Sequence, residues 1–188
     1  MKPATFLRQA LLVMSMALLV GCAGKPVEAP LPELSELPER ETRMQRLTFL
    51  HQDQRHEMVG VLRHDENALR LALLSPQGQR LLTLVHDPSG SRFLDDAAFD
   101  PPFSAEWLAS RISWSLWPRA SLAQAFGPSG WSLADTDDGH TIRYDKRVIA
   151  RISGDDECRM IEDLEADYRL YIAPIDDLQQ KATSCPAN

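Results

Sequence analysis

Leucine alternates with small or charged residues through Ala68-Leu69-Arg70-Leu71-Ala72-Leu73. A period of two sends successive side chains to opposite faces of a strand, so Leu69, Leu71 and Leu73 are expected on one side of it. Ser75-Pro76-Gln77-Gly78 supplies residues that set the backbone angles of a reversal, and Gln79 to His86 runs back as a second strand, apolar at nearly every position. Upstream, Gln45 to His51 and Glu57 to Arg63 predict another antiparallel pair. Thr141 to Tyr144, Val148 to Ile152, Arg159 to Asp163 and Tyr168 to Ala173 predict further strands, separated by turns such as Asp137-Asp138-Gly139 and Ser153-Gly154-Asp155-Asp156. Short strands at this spacing predict a mainly β domain whose meandering antiparallel sheet curls on itself.

The middle of the chain changes period. Ser104 suits a helix N-cap, and Ala105 to Trp117 places Trp107, Leu108, Ile112 and Leu116, with Trp114 beside them, at helical spacings before Pro118. Ala120 to Phe126 predicts a second short helix, ended by Gly127-Pro128. Two apolar helices interrupting a sheet can lie across its concave face as a lid or plug. Three of the four tryptophans, Trp107, Trp114 and Trp117, fall on this element. They fit either a packed core or the wall of a cavity for something apolar.

The N-terminus belongs to a different pattern. Lys2 and Arg8 precede an uncharged apolar run from Ala10 to Val20, which is short of the roughly 20 residues that span a bilayer. It reads as an export signal that is removed. Leu19-Val20-Gly21-Cys22 resembles the lipobox of bacterial lipoproteins, which implies cleavage between Gly21 and Cys22 and lipid, palmitate included, on the Cys22 sulfur. Residues 1–21 are then signal peptide. Ala23 follows the cysteine instead of an Asp that would resemble an inner-membrane retention signal, so the periplasmic face of the outer membrane is the expected location. Residues 22–42 carry Pro26, Pro30, Pro32 and Pro38 without apolar periodicity and read as a tether, extending the domain of residues 43–188 by roughly 50 Å from the bilayer.

Charge and candidate chemistry narrow the picture. A net charge of −7 argues against nucleic acid and against electrostatic adhesion to anionic lipid. Cys158 and Cys185 would meet an oxidising compartment as a disulfide, with two free buried thiols the alternative. His51, His56, His64, His86 and His140 show no i, i+4 zinc spacing, and no CxxC accompanies them. Ser129, in Gly127-Pro128-Ser129-Gly130, lacks the spacing of a nucleophile elbow. Asp135, Asp137 and Asp138 lack the closing Glu of a calcium loop. No Gly-rich phosphate cradle is present. A protein without catalytic residues, metal or cofactor is expected.

The order of elements, and above all Leu73-Leu74-Ser75-Pro76-Gln77-Gly78 followed by Gln79-Arg80-Leu81-Leu82-Thr83-Leu84, resembles LolB, the outer-membrane receptor that accepts lipoproteins from the carrier LolA. It is similar also to LolB-like small lipoproteins that accompany aryl polyene biosynthesis genes. The resemblance covers roughly residues 44 to 175. It implies a half-open antiparallel β-barrel with an α-helical lid and a hydrophobic cavity for acyl chains. That cavity would be lined by Leu69, Leu71, Leu73, Leu82, Leu84, Trp107, Leu108, Ile112, Trp114, Leu116, Trp117, Ile142 and Tyr144. It also implies lipid or lipoprotein cargo and a LolA-like periplasmic carrier as partner. The turn departs from the pattern: where LolB projects an apolar leucine that helps deliver cargo to the membrane, this chain has Gln77, a polar tip that gains little from entering lipid. The expected role is therefore narrower, the binding or handing over of a lipid-like product such as an aryl polyene lipid. A non-catalytic accessory lipoprotein docking onto an envelope or biosynthetic complex is the alternative.

Overall fold

Alternating apolar positions become strands where one face can be buried, and the described residues hold ten strands in all. The computed structural model describes residues 28–37, 41–95, 97–175 and Cys185. Gly21 and Cys22, with the expected signal peptide, lie outside the described residues. The strands are β1 (Glu41–His51), β2 (Gln54–His64), β3 (Leu69–Leu74), β4 (Arg80–Asp87), β5 (Gly90–Phe93), β6 (Trp131–Thr136), β7 (Gly139–Tyr144), β8 (Arg147–Gly154), β9 (Arg159–Asp163) and β10 (Tyr168–Pro174). Two helices, α1 (Ala105–Leu116) and α2 (Arg119–Phe126), stand between β5 and β6.

All ten strands form one sheet in the order β5-β4-β3-β2-β1-β10-β9-β8-β7-β6, and every pairing is antiparallel. Two five-stranded meanders are thus joined along β1 and β10, with Leu47 opposite Ile172 and Phe49 opposite Leu170. The sheet is mainly β as expected. It is not closed: β5 and β6 end it, with no ladder between them among the described residues.

Local chemistry explains the boundaries. In β3 the buried residues are Leu69, Leu71 and Leu73, with Arg70 exposed between them. The turn to β4 is closed by Gly78 N–H donating to the Ser75 carbonyl at 2.9 Å, with Gly78 at φ 82°, where a side chain would be strained. Gln77 is exposed at its tip. Ser104 caps α1 by accepting from the Trp107 N–H at 3.0 Å, and Pro118 follows its end. Two strands, β5 and β6, were not expected. The first has only four residues, and the second has apolar positions too sparse to show a period.

The proline-rich stretch differs from the tether expected of it. Between Glu28 and Leu37 it lies on the domain: Ala29, Pro32 and Leu34 are buried, and Leu31 and Leu37 pack against the core. A short 3-10 turn (Leu34–Glu36) shapes it, and the Trp117 indole N–H donates to the Glu33 carbonyl at 3.0 Å. Apolar residues spaced between prolines need no helix or strand to be buried. Their lack of periodicity therefore did not make this segment free. Cys158 and Cys185 are bonded, with Cα atoms 5.4 Å apart.

Candidate functional site

α1 has two apolar faces, and they meet different surroundings. Ala109, Ser113 and Trp114 are buried against the sheet, whereas Leu108, Ile112 and Leu116, spaced four residues apart, are only half-buried. That second stripe roofs a cavity of about 1240 Å³. Its floor is the seam between the meanders, with Leu47 and Phe49 of β1 and Leu170 and Ile172 of β10, continued by Met58 and Leu62 of β2 and Leu71 and Leu73 of β3. Gly60 contributes by absence: a Cβ there would stand 2.9 Å from Leu47 Cδ1, so only glycine lets that leucine lie across the floor unmoved.

The cavity follows β1 from Arg43 to His51, a path of about 26 Å at the usual rise of a strand. Its middle is apolar and its ends are polar. One end carries Arg43, Asp155, Asp156 and Arg159, and the other carries His51, Arg55, His56, Glu57 and Ser75. Near the second end Phe49 stacks on Tyr168 with ring centroids 4.7 Å apart, and Trp107 lies 5.8 Å from Tyr168 and 5.2 Å from Phe103. The volume exceeds the few hundred Å³ of a small-ligand site, and the shape suits a long apolar chain with a polar group at one or both ends.

A buried charge cluster holds the roof in place. Arg111 Nε donates to Asp163 Oδ2 at 2.8 Å, Nη1 donates to Ser110 Oγ at 3.1 Å, and Nη2 donates to Glu165 Oε2 at 3.3 Å. The guanidinium sits between the Trp107 and Trp114 rings, 4.3 and 4.4 Å from their centroids. Asp163 Oδ1 accepts from the N–H groups of Glu165 and Ala166. Both side chains of the pair are almost wholly buried, so each is costly without the other. Burial, reinforced by the charge of Asp163, pushes the Tyr168 phenol far above its ordinary range and keeps it a neutral hydroxyl.

Residues 42–176 match a family described as proteins of unknown function, from the start of β1 to just past β10. The chain belongs to the DUF3261 family. No curated protein matches it. In this DUF3261 protein the expected cavity residues divide into two groups. Leu71, Leu73, Leu82, Trp107, Leu108, Ile112 and Leu116 line the cavity. Leu69, Leu84, Trp114, Trp117, Ile142 and Tyr144 do not.

The second group has a common physical reason. Trp114 and Ile142 are fully buried in solid packing, Trp131 lies 6.0 Å from Trp114 and 5.1 Å from Tyr144, and α2 covers them with Phe126. Leu69 and Leu84 are buried beyond the cavity's reach, and Trp117 holds the N-terminal segment. Residues missed from sequence include Leu47, Phe49, Met58, Leu62, Leu170 and Ile172, all on strands that were foreseen, and Arg111. A signal for Arg111 existed: Trp107, Arg111 and Trp114 recur at i, i+4 and i+7, so a charge interrupts an aromatic face.

The remaining candidates take structural places. His140 is buried and donates from Nε2 to the Trp114 carbonyl at 3.1 Å; burial lowers its pKa. His51 bonds the Asp167 carbonyl, His56 bonds Gln54 and His86 bonds Ser91 Oγ, while His64 is buried. Ser129 Oγ donates to the Phe126 carbonyl within its turn, and Asp135 pairs with Arg119 at 2.9 Å. Among the described residues no group of three or more His, Cys, Asp or Glu is placed to hold a metal, and no helix is long and apolar enough to cross a membrane.

Proposed function

We propose that this DUF3261 protein is a lipid-anchored envelope protein that binds an acyl or polyene chain in its cavity and passes it on without catalysis. The observation that carries this reading is the roof of Leu108, Ile112 and Leu116 standing off an apolar floor around about 1240 Å³. The cavity is long, greasy in its middle and polar at its ends, which matches an amphiphile. An open sheet with α1 over the cavity floor is what supports reading the Ser-Pro-Gln-Gly turn as LolB-like. Lipid on Cys22 would hold the protein at the periplasmic face of the outer membrane, and a LolA-like carrier would supply its cargo. Transfer between apolar cavities is driven by the removal of methylenes from water, about 0.8 kcal/mol each, and needs no other energy source.

Titration of the chain from residue 23 with the fluorescent fatty acid cis-parinaric acid tests the reading. Saturable binding, displaced by palmitate and accompanied by quenching of the indole emission of Trp107, is the expected result. A folded chain that binds neither ligand would remove the carrier reading and leave an accessory protein acting through its surface.

A further inference from the structure

The cavity is polar at both ends, and the N-terminal segment distinguishes them. Glu28 lines the cavity, and from Ala29 to Leu37 the chain is held against the domain at the C-terminal end of α1, where the Ser115 carbonyl accepts from Arg159; Ala29 and Leu34 are buried. The fastening continues through the Trp117 bond to the Glu33 carbonyl. Six residue steps separate Glu28 from Cys22, and even fully extended they reach only about 20 Å. The domain therefore cannot swing on the whole proline-rich stretch. Its pivot lies where the segment meets the domain.

We infer that the mouth beside Arg43 and Arg159 opens onto the bilayer that holds the anchor, and that an apolar chain enters or leaves the cavity there. This rests on the lipid at Cys22 proposed above. The opposite mouth, about 26 Å further along β1, then faces water. Exposed Phe99 and Leu94 near that far mouth offer apolar surface, but Asp95 and Asp100 flank them, and their carboxylates oppose entry into lipid. The near rim balances Asp155 and Asp156 against Arg43 and Arg159, with Arg159 bonded to Asp156 at 2.8 Å. Such a rim has little pull on anionic headgroups, so the short tether sets the orientation, and it does so on a zwitterionic surface as well.

The test uses the full lipidated chain in phosphatidylcholine vesicles carrying a radiolabelled phosphatidylcholine. The photo-reactive residue benzoylphenylalanine replaces Asp156 in one variant and Gln77, on the far turn, in another. Lipid crosslinking several-fold stronger at position 156 than at 77 is the expected result. Insertion of about twenty Gly and Ser residues between Pro26 and Val27, adding roughly 25 Å of flexible reach, should reduce the yield at 156 several-fold while leaving cis-parinaric acid binding unchanged. Equal crosslinking at the two positions, stronger crosslinking at 77, or indifference to the insertion overturns the assignment with the carrier reading intact. Failure of the natural chain to incorporate palmitate lost in Cys22→Ala overturns anchor and orientation together. Absence of fatty-acid binding alone overturns the carrier reading and the entry of a chain at this mouth, while the crosslinks still decide which end faces the bilayer.

Discussion

The helix-covered face of one sheet is solid over β6, β7 and β8 and hollow over β1, β2, β3 and β10, although both halves are lined by apolar side chains. In the solid half, rings do the filling: Trp131 lies within 5.1 to 6.1 Å of Trp114, Phe126 and Tyr144, and a second helix, α2, adds buried Leu122 and Phe126. In the hollow half the rings of Phe49, Trp107 and Tyr168 gather near one end, and elsewhere aliphatic side chains of α1 face those of the floor across a gap. Arg111 sits on the boundary with one tryptophan on each side, its guanidinium tied to Asp163 at the end of β9. Hydrophobic attraction alone would draw the roof down onto the floor, since each buried methylene is favourable. A charged post that must keep its partners fixes the height at which α1 rests.

Removing the post should have the largest effect. Arg111→Ala strands Asp163 and is expected to lower the unfolding free energy by about 3–5 kcal/mol in urea titration. The paired change Arg111→Met with Asp163→Leu should recover most of that stability. If the post sets the height of the roof, the paired variant folds and yet binds cis-parinaric acid several-fold more weakly. Unchanged binding would mean that the cavity stays open for another reason.

Enlarging one residue in each half gives a smaller and more direct contrast. Ile149→Phe, in the solid half, should cost about 1–3 kcal/mol by overpacking. Leu170→Phe, which points into empty space, should leave the melting transition within about 0.5 kcal/mol of its original stability while competing with the fatty acid. Equal costs at the two sites would erase the distinction between the halves.

Acid should produce the smallest change, and it acts in the solid half. Burial holds the His140 imidazole below its ordinary pKa of about 6.5, so the folded chain stays neutral there while the unfolded chain takes up a proton. This contribution to stability is complete above about pH 6.5 and is lost as the pH falls toward the lowered folded value. Chemical denaturation at a series of pH values should show a shallow decline that His140→Gln flattens. His86, lowered by burial as well, leaves a residual slope.

What was legible in the sequence follows from the same contrast. Leu69, Leu71 and Leu73 announced their strand because a half-buried sheet imposes a period of two, and Ser104 with Pro118 marked the bounds of α1 through capping chemistry that is local. Which tryptophan fills and which lines was not legible. Trp107 and Trp114 share a helical face, and their fates differ only because Trp131, beyond α2, reaches one of them and not the other. The edge strands β5 and β6 escaped for a related reason, since a strand with one neighbour can be short or polar and leaves little pattern. The docked segment from Glu28 to Leu37 was invisible to any search for periodicity.

The seam beneath the cavity governs the order in which the molecule can assemble. Every other strand pairing joins neighbours in sequence, so each meander can zip from its own turns, but β1 and β10 bring together residues as distant as Gln45 and Pro174. The entropy of closing so long a loop delays that contact until both meanders exist. Until then the stripes carrying Phe49 and Leu170 stand bare in two half-molecules, and the lipid-sized space is the last thing to come into being. On that account Leu47→Ala should accelerate unfolding in stopped-flow measurements and leave the refolding rate nearly untouched.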